Sequence, residues 1–253
     1  MRERLLSVIL PLGVVALVLI AWHAAVRLSG NAFFPTPGQV AVGLYALTQK
    51  GVLAKYVINS LWRVSTGFLL ALLLGLPTGL LIGWNRRANQ ALNPLLQVLR
   101  PISPIAWIPI SILWFGVSDA GPVFLIFLAS VFPIITSAAA AVRSIPLNAL
   151  RASQNFGLRG PDLMRMVILP AVLPEVVTGV RIALGVAWMV VVAAEMIAVD
   201  SGLGYLIIDA RNAGSRYDLV VAGMILIGLI GLALDLAIRR LELHDAVRWG
   251  RRL

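Results

Sequence analysis

Cysteine is missing from this sequence altogether, which removes disulfides and thiolate metal sites from consideration. Histidine is nearly so. His23 and His244 stand far apart without ligand-like neighbours, so neither reads as a metal ligand or a general base. Charge is scarce as well: Asp, Glu, Lys and Arg make up 13% of the 253 residues, against about 25% in an ordinary soluble domain. Within that small set the acidic residues are fewer, 11 against 21 basic ones, for a net charge of +10. No G-x-x-x-x-G-K-[ST] loop occurs, so the chain cannot cradle ATP phosphates in that way. Nor do the apolar segments hold a Ser/His or Asp/Asp arrangement of the kind an intramembrane enzyme needs.

What the sequence has in abundance is apolar surface, 60% of its residues and a mean hydropathy of +0.93. It is gathered in runs long and charge-free enough to cross a bilayer as helices of about 20 residues. Six such segments are read: 5–26, 57–83, 102–116, 123–142, 175–199 and 219–238. The third is short and carries Pro104 and Pro109 just after Pro101, so it should be bent and buried among other helices. With the N-terminus inside, 14 of the 21 basic residues fall on the inner side. Six fall outside (Arg27, Lys50, Lys55, Arg63, Arg211 and Arg216), and Arg181 lies within the fifth segment. The positive-inside rule then places both termini in the cytoplasm, and the basic balance is accounted for without nucleic acid. The first segment exceeds the 7–15 residues or so of a signal-peptide core and lacks a small-x-small site, so it reads as a retained span.

Two local patterns stand out. Thr36, Pro37 and Gln39 fall at the N-cap, first-turn and N3 positions of a capping box. Val40, Leu44 and Leu47 then share one face, suited either to the outer membrane surface or to the bundle. In the second segment Gly67, Ala71, Gly75, Gly79 and Gly83 recur every four residues, a register that lets another helix approach closely. That neighbour could belong to this chain or to a partner.

The stretch 143–170, between the fourth and fifth segments, reads as two short cytoplasmic helices around Gly157. Pro146 can open the first and Gly157 can close it in a left-handed cap. Pro161 restarts a helix with Asp162 in its first turn, where the dipole favours a carboxylate. Leu147, Ala149, Leu150, Ala152 and Phe156 put apolar groups on adjoining faces, and an apolar stripe facing water needs a cover.

This stretch resembles the cytoplasmic motif of ABC importer permeases: Glu-Ala-Ala, three residues, Gly, nine residues, then Ile-x-Leu-Pro. Here Arg151-Ala152-Ser153 is followed at the same spacing by Gly157 and by Val167-Ile168-Leu169-Pro170, with Arg151 in place of Glu and Ser153 in place of Ala. Further runs resemble permeases of the nitrate/sulfonate/taurine type, in order along nearly the whole chain. They are Phe34-Pro35-Thr36-Pro37, Ser60-Leu61-Trp62-Arg63-Val64, Arg100-Pro101-Ile102-Ser103-Pro104, Ala106-Trp107-Ile108-Pro109, Trp114-Phe115-Gly116 and Asp200-Ser201-Gly202-Leu203-Gly204-Tyr205.

The resemblance implies an all-α polytopic membrane protein of six transmembrane helices with the type I ABC importer permease fold. One permease domain would fill 1–253, with core spans over 57–238 and a coupling loop at 143–170. It also implies a bacterial inner-membrane importer of two permease copies and two ATP-binding cassette ATPase subunits, supplied by an external solute-binding protein. ATP-Mg would sit on the ATPase, leaving this chain without a cofactor. The ATPase-coupling residues would be Leu150, Arg151, Ala152, Ser153, Phe156, Gly157, Val167, Leu169 and Pro170. The cargo would be an organic sulfonate, taurine, nitrate or a similar anion. A vitamin precursor, or a channel or secondary transporter working alone, is the alternative.

Ionisable groups inside the membrane are costly and usually face a bundle interior or water. Glu195 is therefore read as pairing with Arg211 or Arg216, or as part of an outer gate. Arg181 pairs with Glu175, snorkels, or faces the pathway. Pro104, Trp107, Pro109 and Trp188 complete the path or gate candidates, since broken helices are tolerated where they line a cavity.

Overall fold

The computed structural model describes residues 2–30, 34–49, 51–212 and 214–242, and among these there is no strand. His244 and the last basic residues, Arg248, Arg251 and Arg252, lie outside the described residues. The helices are α1 (Arg2–Ser29), α2 (Pro37–Gln49), α3 (Val52–Trp84), α4 (Arg86–Leu99), α5 (Ile108–Phe115), α6 (Ala120–Ser144), α7 (Leu147–Asn155), α8 (Gly160–Leu163), α9 (Leu169–Ala198), α10 (Leu203–Asn212) and α11 (Tyr217–Glu242). A 3₁₀ turn, Pro104–Trp107, precedes α5, and a π turn, Met164–Ile168, joins α8 to α9. Five of these stretches are long and apolar enough to cross a membrane, and a sixth candidate is the pair Arg86–Leu99 and Pro104–Phe115, bent by 82° and counted as one span.

The bend follows from topology. The small-residue register of α3 lies against α6 of the same chain. A Cβ at Gly67 would stand 2.8 Å from Ile126 Cβ, at Gly79 2.7 Å from Ala138 Cβ, and at Gly83 2.7 Å from Val142 Cβ. Ala71 between them is fully buried. Both numbers rise together, so α3 and α6 run parallel. The chain must therefore return across the bundle between Trp84 and Ala120, and α4 with the 3₁₀–α5 piece is that return. Asn85 caps α4, accepting from the Arg87 and Ala88 amides at 2.9 and 3.3 Å. α4 buries no residue, as a helix lying on the surface should not. Pro104 and Pro109 open the two following pieces, where their missing N–H groups cost nothing.

α9 packs antiparallel on the other side of α6, and α6 is the centre of the bundle. The fifth crossing begins earlier than its hydropathy suggests, forming a continuous stretch over Gly160–Ala198. Pro170 has no N–H for the carbonyl four residues back. The helix widens there into the π turn, with the Leu169 amide bonded to the Met164 carbonyl. α2 carries the reciprocal bonds of a capping box, Thr36 N to Gln39 Oε1 at 2.7 Å and Gln39 N to Thr36 Oγ1 at 3.4 Å. Its buried Val40, Gly43 and Leu47 lie toward the bundle, with Gly43 against Asp218 and Leu219 of α11. α1 is the exception: none of its apolar window is buried against the rest of the chain.

Candidate functional site

Polar side chains gather at two levels of the bundle. Twenty residues separate Arg63 from Gly83 and Glu175 from Glu195, about 30 Å of helix and the thickness of a hydrocarbon layer. The two levels are thus separated by about the thickness of a hydrocarbon layer.

At one level, Arg63 of α3 and Glu195 of α9 form a buried ion pair, Nη1 to Oε1 at 2.7 Å, with the side chains 2% and 0% exposed. Arg63 Nε and Nη2 donate to Asp119 Oδ1 at 2.9 and 2.6 Å. Its two terminal nitrogens also reach the backbone oxygen and the hydroxyl of Ser201, each at 2.6 Å. Glu195 accepts from the Ser60 hydroxyl at 2.8 Å and from the Gly204 amide at 3.0 Å, and Ser60 in turn accepts from the Leu203 amide at 2.9 Å. Gly202 makes this possible, since its φ of +108° suits glycine and a Cβ there would fall 2.3 Å from the Glu195 carboxyl carbon.

This corrects two pairings and one placement. Glu195 pairs with Arg63, not with Arg211 or Arg216, and Arg216 pairs with Asp218 at 2.7 Å. Arg63 belongs to the helix interior and not to the outer loops. Arg181 pairs with Asp235 of α11 at 2.6 Å and not with Glu175, which accepts from Ser144 at 3.0 Å. Sequence reasoning missed Arg63 although a signal existed. Arg63 is one step before Gly67 in the every-four register, so it lies on the face that packs.

At the other level Arg143 donates to Asn89 at 2.7 Å, and α7 projects beyond the bundle. Gly157, at φ +88°, ends α7 in a Schellman motif. The Leu158 amide bonds to the Ser153 carbonyl and the Gly157 amide to the Gln154 carbonyl, at 3.1 and 3.0 Å. Leu150, Leu158 and Val167 pack on a cluster of Ile145, Leu163, Ile168 and Val172, which roots the arm. α7 itself buries no residue. Arg151, Ala152 and Leu169 are exposed, Ser153 and Pro170 partly so, and the Phe156 ring is 88% exposed.

The bent crossing lies between these levels. Pro104 and Trp107 line a cavity of about 210 Å³ together with Ala129, Phe132 and Val186, while Pro109 is exposed on the first turn of α5. Phe124 of α6 gathers the rings of Trp107, Trp114 and Phe115 at centroid distances of 6.4, 5.7 and 5.5 Å. Trp188 lies between α9 and α11, its Nε1 donating to the Ile227 carbonyl at 3.0 Å and its ring against Gly231. No group of three or more metal-ligating side chains occurs among the described residues.

A multi-crossing helical bundle with polar side chains at two levels and a rooted helical arm beyond one of them is the framework of a membrane transport subunit. The model of binding-protein-dependent transport system inner membrane components matches residues 67–244, and the chain belongs to that family of ABC transporter permeases. It is 34% identical to the taurine transport system permease protein of Escherichia coli over 245 residues, covering 93% of this chain and 88% of that one. It is 36% identical to the bicarbonate transport system permease protein of Synechococcus elongatus, over 92% and 88% of the two chains. Its fold matches the inward-facing MetNI methionine ABC transporter at a TM-score of 0.61 and 21% identity, covering 75% of this chain and 95% of that one.

Proposed function

We propose that this chain is the membrane-spanning subunit of an ATP-driven importer that passes a small anion by alternating access. The observation that carries the reading is the arm. α7 is held at its root by apolar packing, closed by Gly157, and leaves Leu147, Phe156 and Arg151 exposed, with none of the described residues over them. Such a surface calls for a cover. A separate ATP-binding cassette ATPase fits, because the chain has no phosphate loop of its own. Docking by Leu150–Gly157 and the segment through Val167, Leu169 and Pro170 would pass closure of an ATPase pair into α9. The ATP-bound ATPase must contact the two permease states differently for this to do work. A second copy of this permease and an external solute-binding protein complete the assembly.

The positive-inside distribution puts α7 and both termini in the cytoplasm and the Arg63–Glu195 layer outside. The relatives named for taurine and bicarbonate favour a cargo with a small oxyanion group. Pro104, Trp107 and Pro109 form the gate in this reading.

The test is co-expression with an ATPase from the same gene neighbourhood, followed by co-purification and measurement of ATPase activity stimulated by the binding protein. Gly157→Pro cannot adopt a φ of +88° and should abolish the stimulation while the chain still inserts in the membrane. Full stimulation in that variant would exclude the arm as the coupling element. A chain that never associates with such an ATPase would point to a carrier or channel working alone.

A further inference from the structure

The external polar layer has one member unlike the rest. Arg63, Glu195 and Ser60 are buried to within 2% of completely, whereas the Asp119 side chain is 64% exposed. Asp119 also binds poorly for a carboxylate opposite a guanidinium. Both of its bonds from Arg63 land on Oδ1, whereas a two-oxygen anion would match the Nε–Nη2 edge with two parallel bonds. The Ser201 hydroxyl accepts from Nη2 of the same edge at 2.6 Å. Among the described residues its own hydrogen is committed to no acceptor.

The helices are closely packed just below this contact. One turn below it, a Cβ at Gly67 would already stand 2.7 Å from the Val123 carbonyl oxygen, so α3 and α6 are held together there. The Asp119 side chain, 64% exposed, is the member of the cluster with room to turn away. Rotating it away exposes two guanidinium N–H groups and a hydroxyl at a fixed place on the outer face. Glu195 stays behind as the buried partner of Arg63, and an entering anion takes the place of the Asp119 carboxylate on the guanidinium edge.

We propose that Arg63 Nε and Nη2 with Ser201 Oγ form an external site for a small oxyanion (nitrate, bicarbonate or a sulfonate group), which Asp119 occupies as a tethered competitor. The proposal rests on the importer reading in naming that anion class as the cargo. A tethered competitor lowers apparent affinity by the fraction of time it occupies the site, and a short tether gives it a millimolar or higher effective concentration. Removing it therefore tightens binding.

The experiment uses the full chain in nanodiscs of zwitterionic lipid. It is titrated with sodium nitrate and with sodium methanesulfonate, against sodium chloride at equal ionic strength, while the unfolding midpoint is followed. Asp119→Ala and Asp119→Asn, both at an exposed position, should lower the apparent Kd for both oxyanions by about tenfold or more. Chloride should show no such change, and adding Ser201→Ala should reverse most of the gain. Equal affinities in wild type and both Asp119 variants, or a chloride response matching nitrate, would overturn the site. No ATPase takes part, so its failure is distinguishable from failure of the importer reading, which the co-purification decides.

Discussion

Arg63 has five N–H groups, and the fold supplies an acceptor for each: Glu195, both oxygens of Ser201, and Asp119 twice. A charge taken out of water is tolerated on such terms, and the terms decide what a substitution does. Arg63→Met leaves Glu195 buried without its counter-ion and should cost about 3–5 kcal/mol. The double variant Arg63→Met/Glu195→Met removes both charges and should recover a large part of that loss. Chemical unfolding of the two variants in mixed micelles measures the difference. A double variant as unstable as the single one would mean that the layer holds through the Ser60 and Ser201 contacts and not through the ion pair. Little of this was legible in the sequence. Arg63 and Glu195 are 132 positions apart, and a charge near the end of an apolar run looks like a loop residue when side chains are tallied by side. The every-four register was the readable clue, because a charge in line with Gly67 and Ala71 has to be met by something on the facing helix.

At the scale of the helix, patterns that depend on near neighbours could be read directly. The α2 capping box and the Gly157 cap are fixed by residues within a turn of each other. α10 was not read, and the helix restarting at Pro161 was read as a separate short piece and not as continuous with the fifth segment, because both features are held by partners outside their own turn. Gly204 of α10 packs on the Val192 carbonyl, and Leu163 and Ile168 pack with Ala138 and Val142 of α6. The glycine register separates packing from mere tolerance of glycine. At Gly79 a Cβ would lie 2.6 Å from the Ile135 carbonyl oxygen, a backbone atom that cannot step aside, whereas at Gly185 nothing lies within 4 Å. Gly79→Ala should therefore destabilise by about 1–3 kcal/mol through overpacking. Gly185→Ala on α9 should stay within about 0.5 kcal/mol. Thermal unfolding of the two variants in the same lipid compares them, and equal midpoints would mean that α3 and α6 part readily.

For the whole molecule these packing differences divide the chain into a closely packed body and a loosely packed piece. α3, α6 and α9 are joined at glycines where an added Cβ would fall within 3 Å of the facing helix, and by the buried ion pair. The bent 3₁₀–α5 piece has only Ile108 and Ser111 buried and is broken from α4 by 82°. Alternating access on this framework would swing the bent piece against a body that stays whole. The absence of cysteine makes the idea easy to test, since an introduced pair is the only thiol pair in this chain. A Cβ at Gly75 would sit 3.3 Å from Ile134 Cβ, close enough for Gly75→Cys/Ile134→Cys to join α3 to α6. A Cβ at Gly121 would sit 3.7 Å from Ser111 Oγ, so Ser111→Cys/Gly121→Cys should tie α5 to α6. In vesicles carrying the assembled transporter, the oxidised α3–α6 pair should import at close to the wild-type rate, because it links parts that already move together. The oxidised α5–α6 pair should stop import, and reduction should restore it. Import that survives the α5–α6 link would place the moving gate elsewhere, and import lost to the α3–α6 link would mean that the body itself opens between its two most closely packed helices.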